Sequence, residues 1–298
     1  MEIIITGSSG FLGKFLQKGL LDENVIIKTI ARKSADLLFD LCKQIPKTPS
    51  VDVVIHSAGK AHSTPKTPQQ KQDFFDVNVT GTKNLLKGLE QAPSLPKLFV
   101  FISSVAVYGL DRGQNVKENH PLNAKDPYGL SKIQAEEIVT EWCDKNKIIC
   151  TILRLPLLVG KNPPGNLGSM IKGIKKGYYF NIAGGLAKKS MVIAEDVAKI
   201  ILKASEIGGI YHLTDGHHPN FKELSTIIAQ QLNKSNPLNI PKWMANLMAK
   251  TGDLLGDKAP FNSYKFGKIT ADLTFDDSKA RQILGWSPQP VLEDFKIK

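Results

Sequence analysis

The sequence is short of cysteine, of aromatic residues and of long apolar runs, and each shortage points away from a class of protein. Its three cysteines, Cys42, Cys143 and Cys150, are odd in number and show neither C-x-x-C nor metal-ligand spacing. A disulfide scaffold and a thiolate metal centre are therefore not expected, and reduced thiols are. The longest apolar run, "LFVFISSVAV" at 98–107, is too short and too polar to cross a bilayer. Apolar Ile3 to Ile5 follow the start Met with no basic segment before them and no small-residue cleavage site after, so a cytoplasmic chain without a secretory leader is expected. Net charge is +11, with 39 Lys and Arg against 28 Asp and Glu, yet no block of five or more basic residues occurs. Without zinc-finger spacing or an aromatic RNA-binding signature, a nucleic-acid partner is not expected, and the charge suits an anionic small substrate. Repeats and low-complexity tracts are also missing.

What is present is alternation. With 42% hydrophobic and 22% charged residues over 298 positions, the chain has the makings of a large soluble core. Short β-branched runs at 2–6, 25–31, 51–56, 97–104 and 148–155 read as strands. Helical periodicity fits 11–21, 68–90, 128–145 and 195–206. Near-continuous apolar strands separated by helices imply an α/β fold with a doubly wound parallel sheet covered on both faces. The texture changes near residue 160, where Gly, Pro and Lys become frequent. One domain over 1–160 and a smaller, discontinuous one over 161–298 are expected, with a strand at 209–215 returning to the first sheet. Further helices are expected at 220–233, 241–250 and 276–284.

Gly7, Gly10 and Gly13 in "TGSSGFLG" leave the first strand and open a helix. That is the setting a dinucleotide fingerprint requires, with a tight turn, close approach of the pyrophosphate and close helix packing. Ser9, Phe11 and Leu12 complete this turn. The next strand ends "IARKSADLL", where an NAD-binding fold usually places an acid on the ribose hydroxyls. Ala31, Arg32 and Lys33 stand there instead. The two cations suit a 2′-phosphate, so NADP(H) is favoured, with NAD(H) beside a solvated basic turn as the alternative. Tyr128 and Lys132, four apart in a helical segment, share a face and form an acid–base pair in which the ammonium would lower the phenol's pKa.

Together "GSSGFLG", "HSAG" (56–59), "NVTGT" (78–82), "YGLSK" (128–132) and "LGW" (284–286) resemble the extended short-chain dehydrogenase/reductases, within the NAD-dependent epimerase/dehydratase family. The resemblance implies a Rossmann-type fold whose second domain binds a nucleotide sugar. It implies cofactor contacts from Ser57, Ala58, Gly59, Asn78, Ser103 and Leu155, and an adenine contact from Asp36-Leu37. It implies catalysis by Ser104, Tyr128 and Lys132, with Ser103 serving the backbone near the cofactor. Relatives that dehydrate sugars carry Asp-Glu after the serine; Val105 and Ala106 here hold no proton, which disfavours dehydration. Hydride transfer with one proton remains.

The resemblance places His62, Ser104, Val105, Asn166, Leu167, Lys188 and Lys189 on the substrate, a UDP-hexose or UDP-N-acetylhexosamine, with the two lysines open to a second reading as a solvated loop. Pro156-Leu157 stands where 4-epimerases end "R-x-x-N". That departure and the Lys-x-His of "GKAH" are closer to 4-keto-hexosamine C4 reductases, so reduction at C4 is slightly favoured over 4-epimerisation. A non-catalytic NADP(H)-sensing module is the remote alternative. A homodimer through the tyrosine helix is implied by resemblance only. His217-His218 are not expected to bind metal. "PKWMANLMAK" reads as a packed helix, the alternative being a membrane or partner surface.

Overall fold

The structure is a computed structural model and describes residues 1–21, 25–61, 63–254 and 262–297. Its large sheet begins with β1 (Glu2–Thr6), β2 (Ile26–Ala31), β3 (Leu37–Leu38), β4 (Val53–His56) and β5 (Leu98–Ser104). Later come β6 (Gly113–Val116), β7 (Ile149–Leu155), β8 (Leu157–Val159), β9 (Asn181–Ile182), β10 (Met191–Ile193), β11 (Gly209–Tyr211), β12 (Asn239–Ile240) and β13 (Leu273–Phe275). Helices α1 (Phe11–Leu20), α2 (Pro68–Phe75), α3 (Gly81–Glu90), α4 (Pro127–Asn146), α5 (Gly165–Lys176) and α6 (Ala194–Ile207) alternate with them. They are followed by α7 (Phe221–Gln231), α8 (Lys242–Leu254), α9 (Ser263–Thr270), α10 (Ser278–Leu284) and α11 (Val291–Asp294).

Seven strands form one sheet in the order β11-β7-β5-β4-β1-β2-β3, every pair parallel. Strand composition explains the burial. Ile3, Ile4 and Ile5 point alternately to both faces and all are 0% exposed. Each such side chain contributes about 1.5–3 kcal/mol of burial. One face packs on α1 and α6 through Leu12, Leu16, Val197 and Ile201, the other on α3 and α4 through Leu85, Leu89, Val139 and Trp142. From β1 the chain builds outward one way through β2 and β3, then crosses to β4, β5, β7 and β11 on the other side. Ligands bind such sheets at the carboxyl ends of the strands flanking that reversal. Gly7 after β1 and Ser57 after β4 occupy those ends.

Four elements differ from the sequence reading. A strand that is not among the five expected runs, β3, follows β2 and is two residues long. The helical stretch at 68–90 is split by a π-helical turn, Asp76–Thr80, which carries Asn78. Such single turns recur at functional sites because one extra residue re-aims the side chains around it. Beyond 160 the Gly-, Pro- and Lys-rich sequence reads as loops around one short helix, but α5 runs a full twelve residues there. It packs with α7, α11, β8 and β10 around Val159, Met170, Ile174, Leu224 and Phe295, a second core. Finally, α8 does not pack through its large side chains: Ala245, Ala249 and Gly252 are buried, while Trp243 and Leu247 are exposed.

Candidate active site

The glycine turn is forced by sterics. Gly7 has φ +69° and its N–H donates to the Ile30 carbonyl at 3.0 Å. A Cβ there would meet the Ala58 nitrogen at 2.6 Å, and one on Gly13 would meet the Gly7 carbonyl oxygen at 2.2 Å. Only glycines let β1, α1 and the loop after β4 converge so tightly. α1 starts here with no side-chain cap, so its first N–H groups face the crevice. The Ser8 hydroxyl, in the same turn, is buried with no hydrogen-bond partner among the described residues. Uncapped donors, a cradle that a Cβ would fill and an orphaned hydroxyl fit the diphosphate of a dinucleotide.

A buried relay fixes the loop opposite. The Thr82 hydroxyl donates to the Asn78 carbonyl at 2.6 Å, so it accepts from His56 Nε2 at 2.9 Å. His56 Nδ1 must then accept from the Thr6 hydroxyl at 2.6 Å, which itself accepts from the Ala58 N–H at 3.1 Å. Burial, with a smaller push from the Lys132 charge, lowers His56 to about 3, so the ring is neutral. The Asn78 side chain is fully engaged: its carbonyl accepts from the Lys60 N–H at 2.7 Å, and its amide donates to the Lys60 carbonyl at 3.1 Å and the Ser131 hydroxyl at 2.8 Å. Asn78 thus ties the 57–61 loop to α4 rather than presenting its amide to a ligand.

Asp126-Pro127 starts α4, the Asp side chain capping the Tyr128 and Gly129 N–H groups at 3.1 Å each. This sets Tyr128 in the first turn, beside Ser104 at the end of β5. A Cβ on Gly129 would meet the Ala106 carbonyl oxygen at 2.7 Å, so glycine lets α4 approach the 3₁₀ turn Val105–Tyr108. Burial raises the Tyr128 pKa and a hydrogen bond from Ser104 opposes it. The phenol therefore carries its proton at neutral pH, and the expected lowering by Lys132 is absent. The Lys132 ammonium instead donates to the Ile102 carbonyl at 2.6 Å and lies 4.3 Å from the Phe101 ring centre. Burial brings it down to about 8, with the Glu136 carboxylate opposing.

Ser103 does not serve a ligand with its hydroxyl, which donates to Glu136. Glu136 also holds Arg154, through Nη2 at 2.7 Å and Nε at 3.1 Å. Arg154 Nη1 donates to the Tyr108 hydroxyl at 3.0 Å, Tyr108 to His212 Nε2 at 2.6 Å, and His212 Nδ1 to the Asp276 carbonyl at 3.0 Å. This buried chain runs beneath the serine–tyrosine pair and ties β5, α4, β7 and the segment after β11 together. What Glu136 and Tyr108 bond is not legible in sequence, because their partners lie 18 to 104 residues away.

A cleft of about 1010 Å³ opens over these groups. Gly10, Phe11, Leu12, Ser57, Gly59, Ser103, Ser104, Val105, Tyr128, Lys132 and Leu155 line it, as does Lys189 from the second core's side. The remaining sequence candidates fall elsewhere. Leu167 is buried in the second core, Asn166 is exposed at the start of α5, and Lys188 is exposed with its N–H on Asp272. Arg32 and Lys33 are exposed just beyond the carboxyl end of β2. The Asp36 carboxylate accepts from the Thr29 N–H and hydroxyl at 2.8 and 2.7 Å, bonds that hold it at the amino side of β3. His62 lies outside the described residues. Lys60, the lysine of the Lys-x-His pattern, also lines the cleft, as do Lys125, Asp111, Tyr264 and Lys268, which no sequence motif marks. Lys268 pairs with Asp111 at 2.8 Å, closing α9 across the cleft mouth.

Known proteins resemble this chain along nearly its whole length. A relative from Escherichia coli O157:H7, N-acetyl-alpha-D-glucosaminyl-diphospho-ditrans,octacis-undecaprenol 4-epimerase, is 29% identical and spans 93% of this chain and 88% of its own. UDP-glucose 4-epimerase of Vibrio cholerae is 28% identical, over 98% of this chain and 92% of its own. The crystal structure of UDP-glucuronic acid 4-epimerase from Bacillus cereus, with UDP-glucuronic acid and NAD, superposes with a TM-score of 0.74 at 20% identity, covering 99% of this chain and 96% of that one. It shares the fold. The model of the NAD dependent epimerase/dehydratase family matches residues 3–212, and the chain is an enzyme of that family.

Proposed function

We propose that this enzyme is a 4-epimerase of a hexose carried on a diphosphate. The observation that carries the reading is the grouping of Ser104, Tyr128 and Lys132 beside the glycine turn, in a cleft whose neighbouring positions, Val105 and Ala106, exchange no proton. That set suits oxidation and reduction at one carbinol and nothing requiring a second acid or base. Two relatives spanning nearly the whole chain are by name 4-epimerases, and both names place the sugar on a diphosphate.

A bound nicotinamide dinucleotide supplies the hydride acceptor and donor. To take the C4 hydroxyl proton and return it, Tyr128 would act as the phenolate, its own proton first driven off to solvent by the positive charge of the oxidised nicotinamide, while Ser104 hydrogen-bonds the same oxygen. The Lys132 ammonium, buried beside the strand end, holds the adjoining ribose. The glycine turn and the start of α1 receive the dinucleotide's diphosphate. Asp40-Leu41, just past the carboxyl end of β3, suits the adenine better than Asp36-Leu37, because ligands gather at carboxyl ends of strands. Lys189 and Lys268 meet the substrate's diphosphate. In this reading residues 1–160 with β11 form the dinucleotide domain, and most of 161–298 the substrate domain.

Incubation with UDP-GlcNAc, with UDP-glucose and with GlcNAc-diphospho-undecaprenol, each without added cofactor, tests this. The C4 epimer of one of them, read by proton NMR of the released sugar, is expected. A Tyr128→Phe variant with full activity would overturn the assignment.

A second reading, a C4 reductase, is favoured by one observation. Arg32 and Lys33 are exposed just beyond β2, and Ala31, which ends that strand, carries no carboxylate to repel a 2′-phosphate, which suits NADPH, a cofactor consumed in each turnover. Stoichiometric loss of nicotinamide absorbance with a UDP-4-keto-6-deoxyhexosamine, and no epimer formation, would establish it. Equal affinity for NAD and NADP, unchanged by Arg32→Ala, would remove its support.

A further inference from the structure

A helix on a protein surface normally turns its largest apolar side chains inward. α8 turns them outward. It lies against α9 and the turn after β9 through Ala245, Ala249 and Gly252, all buried. On the opposite side Trp243 is 68%, Leu247 58% and Leu254 87% exposed. These three follow one another at i, i+4 and i+11, a single stripe along the outer face. Exposed apolar side chains also lie on the segments that α8 follows or meets. Leu238 and Leu186 are 72% and 66% exposed, and the two segments are joined by hydrogen bonds from the Asn181 N–H to the Leu238 carbonyl and from the Gly184 N–H to Asn239 Oδ1. Tyr178 and Phe180 add exposed rings beside them.

Cations rim this surface. Lys242 and Lys250 flank the stripe on α8 itself, and Lys175 and Lys176 close α5 just before Tyr178; all four are exposed. The one acid on the helix, Asp253, is taken by the Ser263 N–H and hydroxyl at 3.0 and 2.5 Å. Between 172 and 189 there are five lysines and no Asp or Glu. We propose that this apolar, lysine-rimmed face docks on an anionic lipid bilayer, with α8 lying in the interface. An exposed apolar stripe with lysines at its edges is what an interfacial helix presents to acidic headgroups. A second copy of the chain would bring the same lysines against one another. At about 1.5 Å per residue the thirteen residues of α8 reach roughly 20 Å, enough to lie in the headgroup region and too short to span.

The placement gives the face a purpose. α8 packs on α9, whose Tyr264 and Lys268 line the cleft mouth, so docking through the outer face of α8 holds that mouth one helix away from the bilayer. Docking does not depend on the epimerase reading, and its test uses no turnover.

Co-sedimentation with vesicles of equal parts phosphatidylglycerol and phosphatidylcholine reads it directly. Trp142 and Trp286 are 8% and 4% exposed, so a blue shift of tryptophan emission on adding vesicles reports Trp243. Binding that weakens with salt, and falls by roughly tenfold or more in Leu247→Glu with the thermal transition unchanged, is expected. No binding to the anionic vesicles, equal binding to pure phosphatidylcholine, or equal binding by Leu247→Glu would each overturn the proposal. So would a concentration-dependent dimer that Leu247→Glu dissolves in the absence of any vesicle binding.

Discussion

The His56 relay makes a sharp prediction because each of its bonds has one permitted direction. Thr82→Val keeps the shape of the side chain and removes its hydroxyl. The His56 Nε2–H then has no acceptor, at a position where both residues are at most 1% exposed. Stranding a buried donor costs about 1–3 kcal/mol. Thr82→Ser keeps the hydroxyl and loses one methyl, about 0.8 kcal/mol. Urea unfolding at pH 7.5 should therefore rank wild type above Ser and Ser above Val. The pH dependence follows from the same ring. Its folded pKa of about 3 lies below the 6.5 of the unfolded chain, so below pH 6.5 the unfolded state takes up a proton that the folded state refuses. Stability is full above that pH and falls as pH drops towards 3, by about 1.6 kcal/mol between pH 6.5 and 5 from this ring alone. His212 and His218 are also lowered, so the ring's share is read by difference against His56→Gln. A His56→Gln protein with the wild-type slope, or a Val variant as stable as Ser, would refute the relay.

Glu136→Ala leaves Arg154 buried without its carboxylate, and a loss of about 3–5 kcal/mol is expected in denaturant unfolding. Gly13→Ala drives a Cβ into the Gly7 carbonyl, so dinucleotide affinity measured by calorimetry should fall at least roughly tenfold while the thermal transition drops modestly. After reductive methylation with carbon-13, one dimethyl-lysine resonance should titrate near pH 8 and vanish in Lys132→Arg; a uniform set of midpoints above 10 would contradict the burial of Lys132. Tyr128→Phe should lose about 10²-fold or more in turnover with nucleotide affinity unchanged, and an equal loss in both would mean a packing role.

The sheet could be read from the sequence because its strands are buried on both faces and so carry unbroken β-branched runs, as in Ile3 to Ile5. The glycine turn was legible for a steric reason, and Tyr128 and Lys132 because helical spacing alone puts them on one face. Asn78 shows the limit. Its motif marked it as important, but whether its amide meets a ligand or ties Lys60 to Ser131 depends on what the π turn brings opposite it, a question of packing. Lys188 and Lys189 are adjacent and chemically identical, yet only Lys189 reaches the cleft, because its Nζ donates to the Lys268 carbonyl across α9.

The helix α8 carries the argument one step further. Its periodicity is ordinary, with Trp243 and Leu247 spaced as a core face would space them, and the packed reading followed from that pattern. The alanines and glycine four and three residues apart form an equally regular stripe on the other side. Hydrophobic pattern alone cannot say which of two apolar stripes is covered. Close approach decides it here, since only the small residues let α8 lie flat against α9 and the turn after β9. A helix with two apolar faces, one small and packed and one large and bare, has its outer face available to a second environment. Enlarging the packed face should therefore unseat the helix without touching the bare one. Ala245→Leu should lower the thermal transition through overpacking of about 1–3 kcal/mol, whereas Leu247→Glu should leave it unchanged. Equal effects from the two would mean that the outer face is covered in the folded protein after all.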